Sequence, residues 1–427
     1  MPARVVPPDG RHVAFLGQTD PMVFAENMRI GVLPVDATDA PAADIVWASE
    51  GHDRTFWCMN GGQQPVWVDD EHLVATAEDR GDQHALLMKA DASAPPVALT
   101  EGPRTVAGIS VAGGLDGDGR PSMMATVEAT AAHPAELFVD GERRTTVAGP
   151  MEERALAWEK FAVPTTDGSD EIDAWIMRPA DFDPDRHYPV LLNVHGGPFT
   201  QYGEYFFDEA QMQATAGFVV VMGNPRGSSG RHAAWGLAAQ GPQHPTAPGT
   251  GWGTVDVDDV LAVIDAALDR FPFCDRDRVG MLGGSYGGFM ATWLAGNHSE
   301  RFRAFCSERA VNNLASLEWS SDIATAFLAE HGVSHIDDPE EYASRSPMRF
   351  VSRIDKPMLL IHSEEDWRCP INQAEELWVA LKLLGKEVDF YRFPGENHEL
   401  SRSGSPIHRV QRAEIILDWF AEKLAAT

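Results

Sequence analysis

The pentapeptide Gly283-Gly284-Ser285-Tyr286-Gly287 has the form G-x-S-x-G, and a serine so placed is a candidate nucleophile. An apolar run, 279–282, precedes it, and a helical pattern opens at Phe289, so Ser285 falls on a tight strand-to-helix turn that thrusts its hydroxyl outward. Glycines at 283 and 287 leave room where strand and helix approach, and replacing either is expected to misfold the turn. A serine hydroxyl attacks poorly until a base takes its proton, and that base needs a carboxylate to orient it and stabilise its cation. Asp366 follows the apolar run 357–361 through a short loop, and His398 follows the run ending at Phe393. Both stand just past the C-terminal ends of expected strands, where open α/β sheets build their sites. Glu364 and Glu365 remain alternatives for the carboxylate. His331 and His335, four apart without the glutamate of a zinc-protease motif, read as surface residues.

Attack on a carbonyl develops an oxyanion, which needs preorganised donors. The backbone N–H of Tyr286, next after the nucleophile, is one candidate. The second is the Gly197 N–H, in the loop His195-Gly196-Gly197-Pro198 after the apolar run 189–194. The chain order Ser, Asp, His is that of α/β-hydrolases. The chemistry is acyl transfer to serine followed by hydrolysis, and it requires neither metal nor cofactor.

The elements that must position these residues divide the chain near 149–153. Beyond that point apolar strands (189–194, 218–222, 278–282, 357–361, 388–393) alternate with helical patterns (255–271, 289–296, 373–384, 407–424), which predicts a mostly parallel, doubly wound sheet over residues 151–427. In the last helix Val410, Ile415, Trp419 and Phe420 are expected to form one apolar stripe in the core. Residues 1–150 are all-β in character, with short apolar runs punctuated by Asp, Gly and Pro. Three runs end in an aspartate before a polar turn, at Asp36, Asp91 and Asp140, a spacing that suggests a partial β-propeller of about three blades. A small β-sandwich is the alternative. Three blades cannot close a ring, so exposed edges favour self-association into a homo-oligomer.

Composition narrows the partners. The formal charge of −30, from 34 basic against 64 acidic residues, argues against nucleic acid or an anionic membrane surface. The four cysteines show no CxxC or metal-ligand spacing, which suits reduced thiols in a cytoplasm. The start, 1–10, carries no apolar export segment, and no stretch approaches 18 uninterrupted apolar residues.

With these residues in hand, the second domain resembles the prolyl oligopeptidase family of serine peptidases, within it the acylaminoacyl-peptidase-like branch. The resemblance rests on 195–198 (HGGP), 224–230 (NPRGSSG), 283–288 (GGSYGG), 364–370 (EEDWRCP) and 396–400 (ENHEL). It implies a peptidase acting on short peptides, N-acylated ones among them, with the triad on Ser285, Asp366 and His398. Arg368 looks like the family's substrate-anchoring arginine, with a surface ion pair as its plainer reading. Prolyl oligopeptidases proper carry an oxyanion-hole tyrosine where His195 stands here, which favours the acylaminoacyl branch. Relatives carry a complete propeller, so gating by three blades is in doubt. A carboxylesterase, and an inactive truncated family member, are the alternative functions. The proline-rich stretch 241–249 reads as a surface loop, and Trp319 and Phe327 as aromatic candidates for the substrate pocket or the core.

Overall fold

The computed structural model describes residues 7–37, 45–59, 61 and 64–426; of the segment expected to lack an export signal, residues 1–6 lie outside these. The N-terminal third is built from antiparallel meanders. The first is β1 (His12–Gly17), β2 (Arg29–Pro34) and β3 (Val46–Trp47). The second is β4 (Val66–Trp67), β5 (His72–Asp79), β6 (Asp82–Lys89) and β7 (Val97–Ala98), and the third is β8 (Thr105–Leu115), β9 (Pro121–Thr130), β10 (His133–Val139) and β11 (Glu142–Arg143). The second and third are joined by a parallel pairing of Gln83 with Thr105. This is a partial propeller of three blade-like units, whose middle one is the most deeply buried, with β5 covered at six consecutive residues from Leu73 to Glu78.

A third sheet holds β12 (Trp158–Pro164), β13 (Glu171–Met177), β14 (Tyr188–Val194), β15 (Val219–Asn224), β16 (Cys274–Gly284), β17 (Ala304–Glu308), β18 (Met358–Ser363) and β19 (Val388–Phe393). Their order is β12-β13-β15-β14-β16-β17-β18-β19, parallel from β15 through β19, with β12 and β13 as an antiparallel flank. The helices are α1 (Asp208–Thr215), α2 (Ala233–Leu237), α3 (Val255–Arg270), α4 (Tyr286–Asn297), α5 (Leu314–Glu318), α6 (Ala324–His331), α7 (Pro339–Arg345), α8 (Asn372–Leu383), α9 (Leu400–Ser403) and α10 (Pro406–Lys423). The central strands are mostly apolar because both faces are covered, with polar residues such as Asn193, Asn224 and Glu308 near their C-terminal ends. Val190, Leu192, Met281 and Leu360 face α3 and α4, whereas Leu191, Leu282 and Leu359 face α10.

The chemistry-bearing loops thus project from one edge of a sheet buried on both sides. Two expectations change. Val410 is 57% exposed and Ile416 takes its place in the core beside Trp419 and Phe420. Nine residues at about 100° each put Val410 opposite Trp419 on the helix. His331 is not a surface residue: it is 2% exposed, because Phe327 and His331, four apart on α6, both pack on Trp252. The four cysteines are buried and unpaired. Among the described residues no helix is long and apolar enough to cross a membrane.

Candidate active site

Ser285 lies between the end of β16 and the first residue of α4, at φ 61° and ψ −119°. For a residue with a Cβ this is a strained conformation, held here by the elements on either side. Its N–H donates to the Glu308 carbonyl at the end of β17 (3.0 Å), and its carbonyl accepts from Phe289 N–H (2.9 Å). The elbow is close-packed: a methyl on Gly287 would overlap the Val194 carbonyl oxygen.

Asp366, buried in the loop after β18, accepts the backbone N–H groups of Arg368 (3.0 Å) and Cys369 (2.9 Å) on Oδ1. Its Oδ2 accepts from His398 Nδ1 at 2.7 Å. That bond fixes the proton on Nδ1 and leaves Nε2 as the basic nitrogen. Burial holds the His398 imidazole below its ordinary value, against the upward pull of Asp366 and with help from Arg309. A second buried histidine, His362, closes the loop from behind, donating from Nε2 to the Cys369 carbonyl (2.7 Å) and facing Asp366 Oδ2 at 3.5 Å. In the same loop the Cys369 thiol is buried, which raises it far above its ordinary range and so keeps it protonated. Neither Glu364 nor Glu365 is bonded to His398; Glu364 pairs with Arg392 on the surface.

The loop after β14 comes up against the elbow, and a methyl on Gly196 would stand 3.4 Å from Ser285 Cβ. Gly197 has φ +121° and a cis peptide to Pro198. The plane of the Gly196–Gly197 peptide, hence the aim of the Gly197 N–H, is set by what holds the Gly196 carbonyl. Thr200 Oγ1 donates to it at 2.6 Å and His195 Nδ1 at 2.8 Å, while His195 Nε2 accepts from Ser228 Oγ at 3.0 Å. Burial lowers the His195 imidazole to about 4, so it is neutral and carries the one tautomer these contacts require. On the other side, Tyr286 is held by its phenol, which donates to the buried Asp256 carboxylate at 2.7 Å. Tyr286 and the Gly196–Gly197 peptide therefore sit beside the serine on independently anchored supports.

The structure brings Ser285, Asp366, His398, Tyr286 and Gly197 to one edge of the sheet. Arg368 is paired instead with Asp322 on the facing segment, Nε to Oδ1 at 2.7 Å and half exposed. Phe327 is core, and Trp319 is 61% exposed. Sequence reasoning passed over Thr200, Asp256 and Glu308, since a threonine, a helix-start aspartate and a backbone carbonyl carry no spacing signal. Ser228 lay inside a quoted motif without a role. Glu308 also anchors a buried ion chain: Arg412 Nε meets it at 2.6 Å and Arg412 Nη2 meets Glu209 at 3.0 Å. Burial opposes its ionisation, but Arg412 and Arg309 hold the carboxyl below its ordinary range. The loop 241–249 is largely exposed yet pinned through buried His244, whose Nδ1 accepts from Ala247 N–H (3.0 Å) and whose Nε2 donates to the Met22 carbonyl (3.0 Å).

Comparison with known proteins adds relatives to this geometry. Residues 204–427 match the family described as the prolyl oligopeptidase family. The uncharacterized peptidase YuxL of Bacillus subtilis is 40% identical over 269 residues, which cover 62% of this chain and 39% of that protein. The acylaminoacyl peptidase of Pyrococcus horikoshii superposes with a TM-score of 0.83 at 27% identity, over 98% of this chain and 62% of the other. An acylaminoacyl peptidase in complex with Z-Gly-Gly-Phe-chloromethyl ketone superposes equally well, at 27% identity over the same shares. The chain spans less than two thirds of the length of each of these proteins.

Proposed function

We propose, from the premise that the chain belongs to the prolyl oligopeptidase family, that it is a serine peptidase hydrolysing short peptides through an acyl-enzyme on Ser285. The observation that carries this reading is the 2.7 Å bond from His398 Nδ1 to Asp366 Oδ2, with Ser285 on a left-handed elbow at the same sheet edge. In the reaction the Ser285 hydroxyl gives up its proton to His398 Nε2 and attacks the scissile carbonyl. Asp366 stabilises the imidazolium, and the Tyr286 and Gly197 N–H groups receive the oxyanion. The imidazolium then protonates the leaving amine; water, activated by the same ring, releases the acyl group.

Arg368 binds a substrate carbonyl in this reading, and its pairing with Asp322 holds the guanidinium in place beside the triad loop. N-acylated peptides are favoured among substrates. Support comes from the chloromethyl ketone in the structural relative, a peptide reagent with a blocked amino end. Residues 1–150 form the partial propeller and 151–427 the peptidase domain, a division supported by the change of sheet between Arg143 and Trp158. Self-association through the open blade edges belongs to the same reading.

A fluorophosphonate probe tests it. The folded chain is expected to label at Ser285 and Ser285→Ala is not, with acyl-peptide turnover exceeding that of a matched simple ester in kcat/KM. Folded protein that resists the probe refutes the hydrolase reading, and ester turnover without peptide turnover refutes the peptidase.

A further inference from the structure

The turn joining β5 to β6, 79–82, does not stop at the surface of its own sheet. Its Arg80 N–H donates to the Gly230 carbonyl at 2.7 Å, and its Gly81 carbonyl accepts the Glu204 N–H at 2.7 Å. Gln201 brackets the turn from the peptidase side: Oε1 accepts the Gly81 N–H at 2.8 Å and Nε2 donates to the Asp82 carbonyl at 3.3 Å. The approach is so close that a methyl on Gly203 would overlap the Gly81 carbonyl. One strand residue earlier, buried Glu78 accepts from the Ser229 hydroxyl, and the Ser229 N–H donates to the Thr200 carbonyl at 3.0 Å.

Every one of these bonds ends on, or next to, the segment that aims an oxyanion donor. Thr200 grips the Gly196 carbonyl; Gln201 follows it directly in the chain and Glu204 three residues after that. The tip is a two-residue turn with both central residues at positive φ, 52° at Arg80 and 91° at Gly81, a rigid form that suits a strut. Its contacts are hydrogen bonds between buried groups, which hold orientation as well as distance.

We propose that this hairpin tip positions the oxyanion hole, with Gln201 as the positioning residue that transmits its hold to the Gly196–Gly197 peptide. The inference rests on the peptidase reading above and adds a second role for the N-terminal third. A blade that only gates substrate alters which peptides enter. A blade that sets the oxyanion donor is needed for every substrate, small esters included.

The test is Gln201→Ala in the full chain, with folding checked by thermal melting. Expected is a fall in kcat of about 100-fold for both a small p-nitrophenyl ester and a short acyl-peptide, at KM within about twofold, since a misplacement near 1 Å can cost that much. Amide hydrogen exchange over 196–204 is expected to rise. As a milder pair, Glu78→Gln, which still accepts from Ser229, should keep kcat within about threefold, whereas Glu78→Leu should not. Unchanged ester kcat with only peptide KM altered makes the N-terminal third a gate and overturns the proposal. Unchanged exchange over 196–204 in folded Gln201→Ala overturns it too. If the wild type resists the fluorophosphonate, the peptidase reading has failed, and the exchange measurement still decides whether the tip holds this loop.

Discussion

Replacing Gly287 with alanine should disable catalysis without unfolding the protein. A methyl there overlaps the Val194 carbonyl oxygen and stands 2.9 Å from the carbonyl carbon and 3.0 Å from the His195 oxygen, all backbone atoms with no flexible end to swing away. Relieving a carbon–oxygen overlap requires a displacement of roughly 1 Å, because the pair must return to van der Waals separation. That displacement falls on the junction of β14 with His195-Gly196-Gly197, so it is delivered to the Gly197 N–H. A 1 Å error in placement costs about 100-fold in rate, and outright loss of an oxyanion donor about 10²–10³. Overpacking of this kind destabilises by about 1–3 kcal/mol, which a domain of this size survives. The assay is single-turnover acylation with an activated ester, alongside a melting curve. Acylation within threefold of wild type in a folded variant would refute the reasoning, since it would mean that the loop absorbs the methyl without moving the donor.

Two further outcomes follow from ionisation. Burial, assisted by Arg309, lowers the His398 imidazole below its ordinary 6.5, and in the proposed reaction the neutral ring is the base, so kcat/KM should rise with pH through a midpoint under that value; Arg309→Met should move the midpoint upward, and a limb above 6.5 would contradict the assignment. Glu330 is buried with one side-chain bond, from Trp252 Nε1 at 2.8 Å, and burial raises its carboxyl to about 8. A folded-state value above the unfolded one means stability that is present at low pH and lost as pH rises through the folded value; between pH 5 and 8 the wild type should lose about 3 kcal/mol relative to Glu330→Gln, read by denaturant unfolding at each pH. Parallel pH profiles of the two proteins would show that Glu330 is not buried as a neutral acid.

Much of the candidate site is legible before folding because its signals are local. A strand, a tight turn and a loop are each written in a dozen consecutive residues, so Ser285, Asp366 and His398 can be set at strand ends from periodicity alone, and the order of the strands in the chain carries them to one edge of a parallel sheet. Observed strands match the expected runs within a few residues, β19 at both ends. The antiparallel pair β12–β13 was not anticipated, nor was β17, whose carbonyl holds the Ser285 N–H.

What tertiary structure alone decided is the aim of those residues. The bond from Gly81 to Gln201 joins positions 120 apart, that from Glu78 to Ser229 positions 151 apart, and that from His195 to Ser228 positions 33 apart. No spacing rule reaches across such intervals, since each contact depends on how whole sheets dock. The same holds for Arg368, which the sequence leaves between a substrate contact and a surface ion pair and the fold pairs with Asp322, 46 residues away. The identity of the nucleophile is therefore a property of the local sequence; the orientation of the groups that would stabilise its transition state is a property of the packed molecule, because hydrogen bonds between distant segments exist only once burial has brought them together.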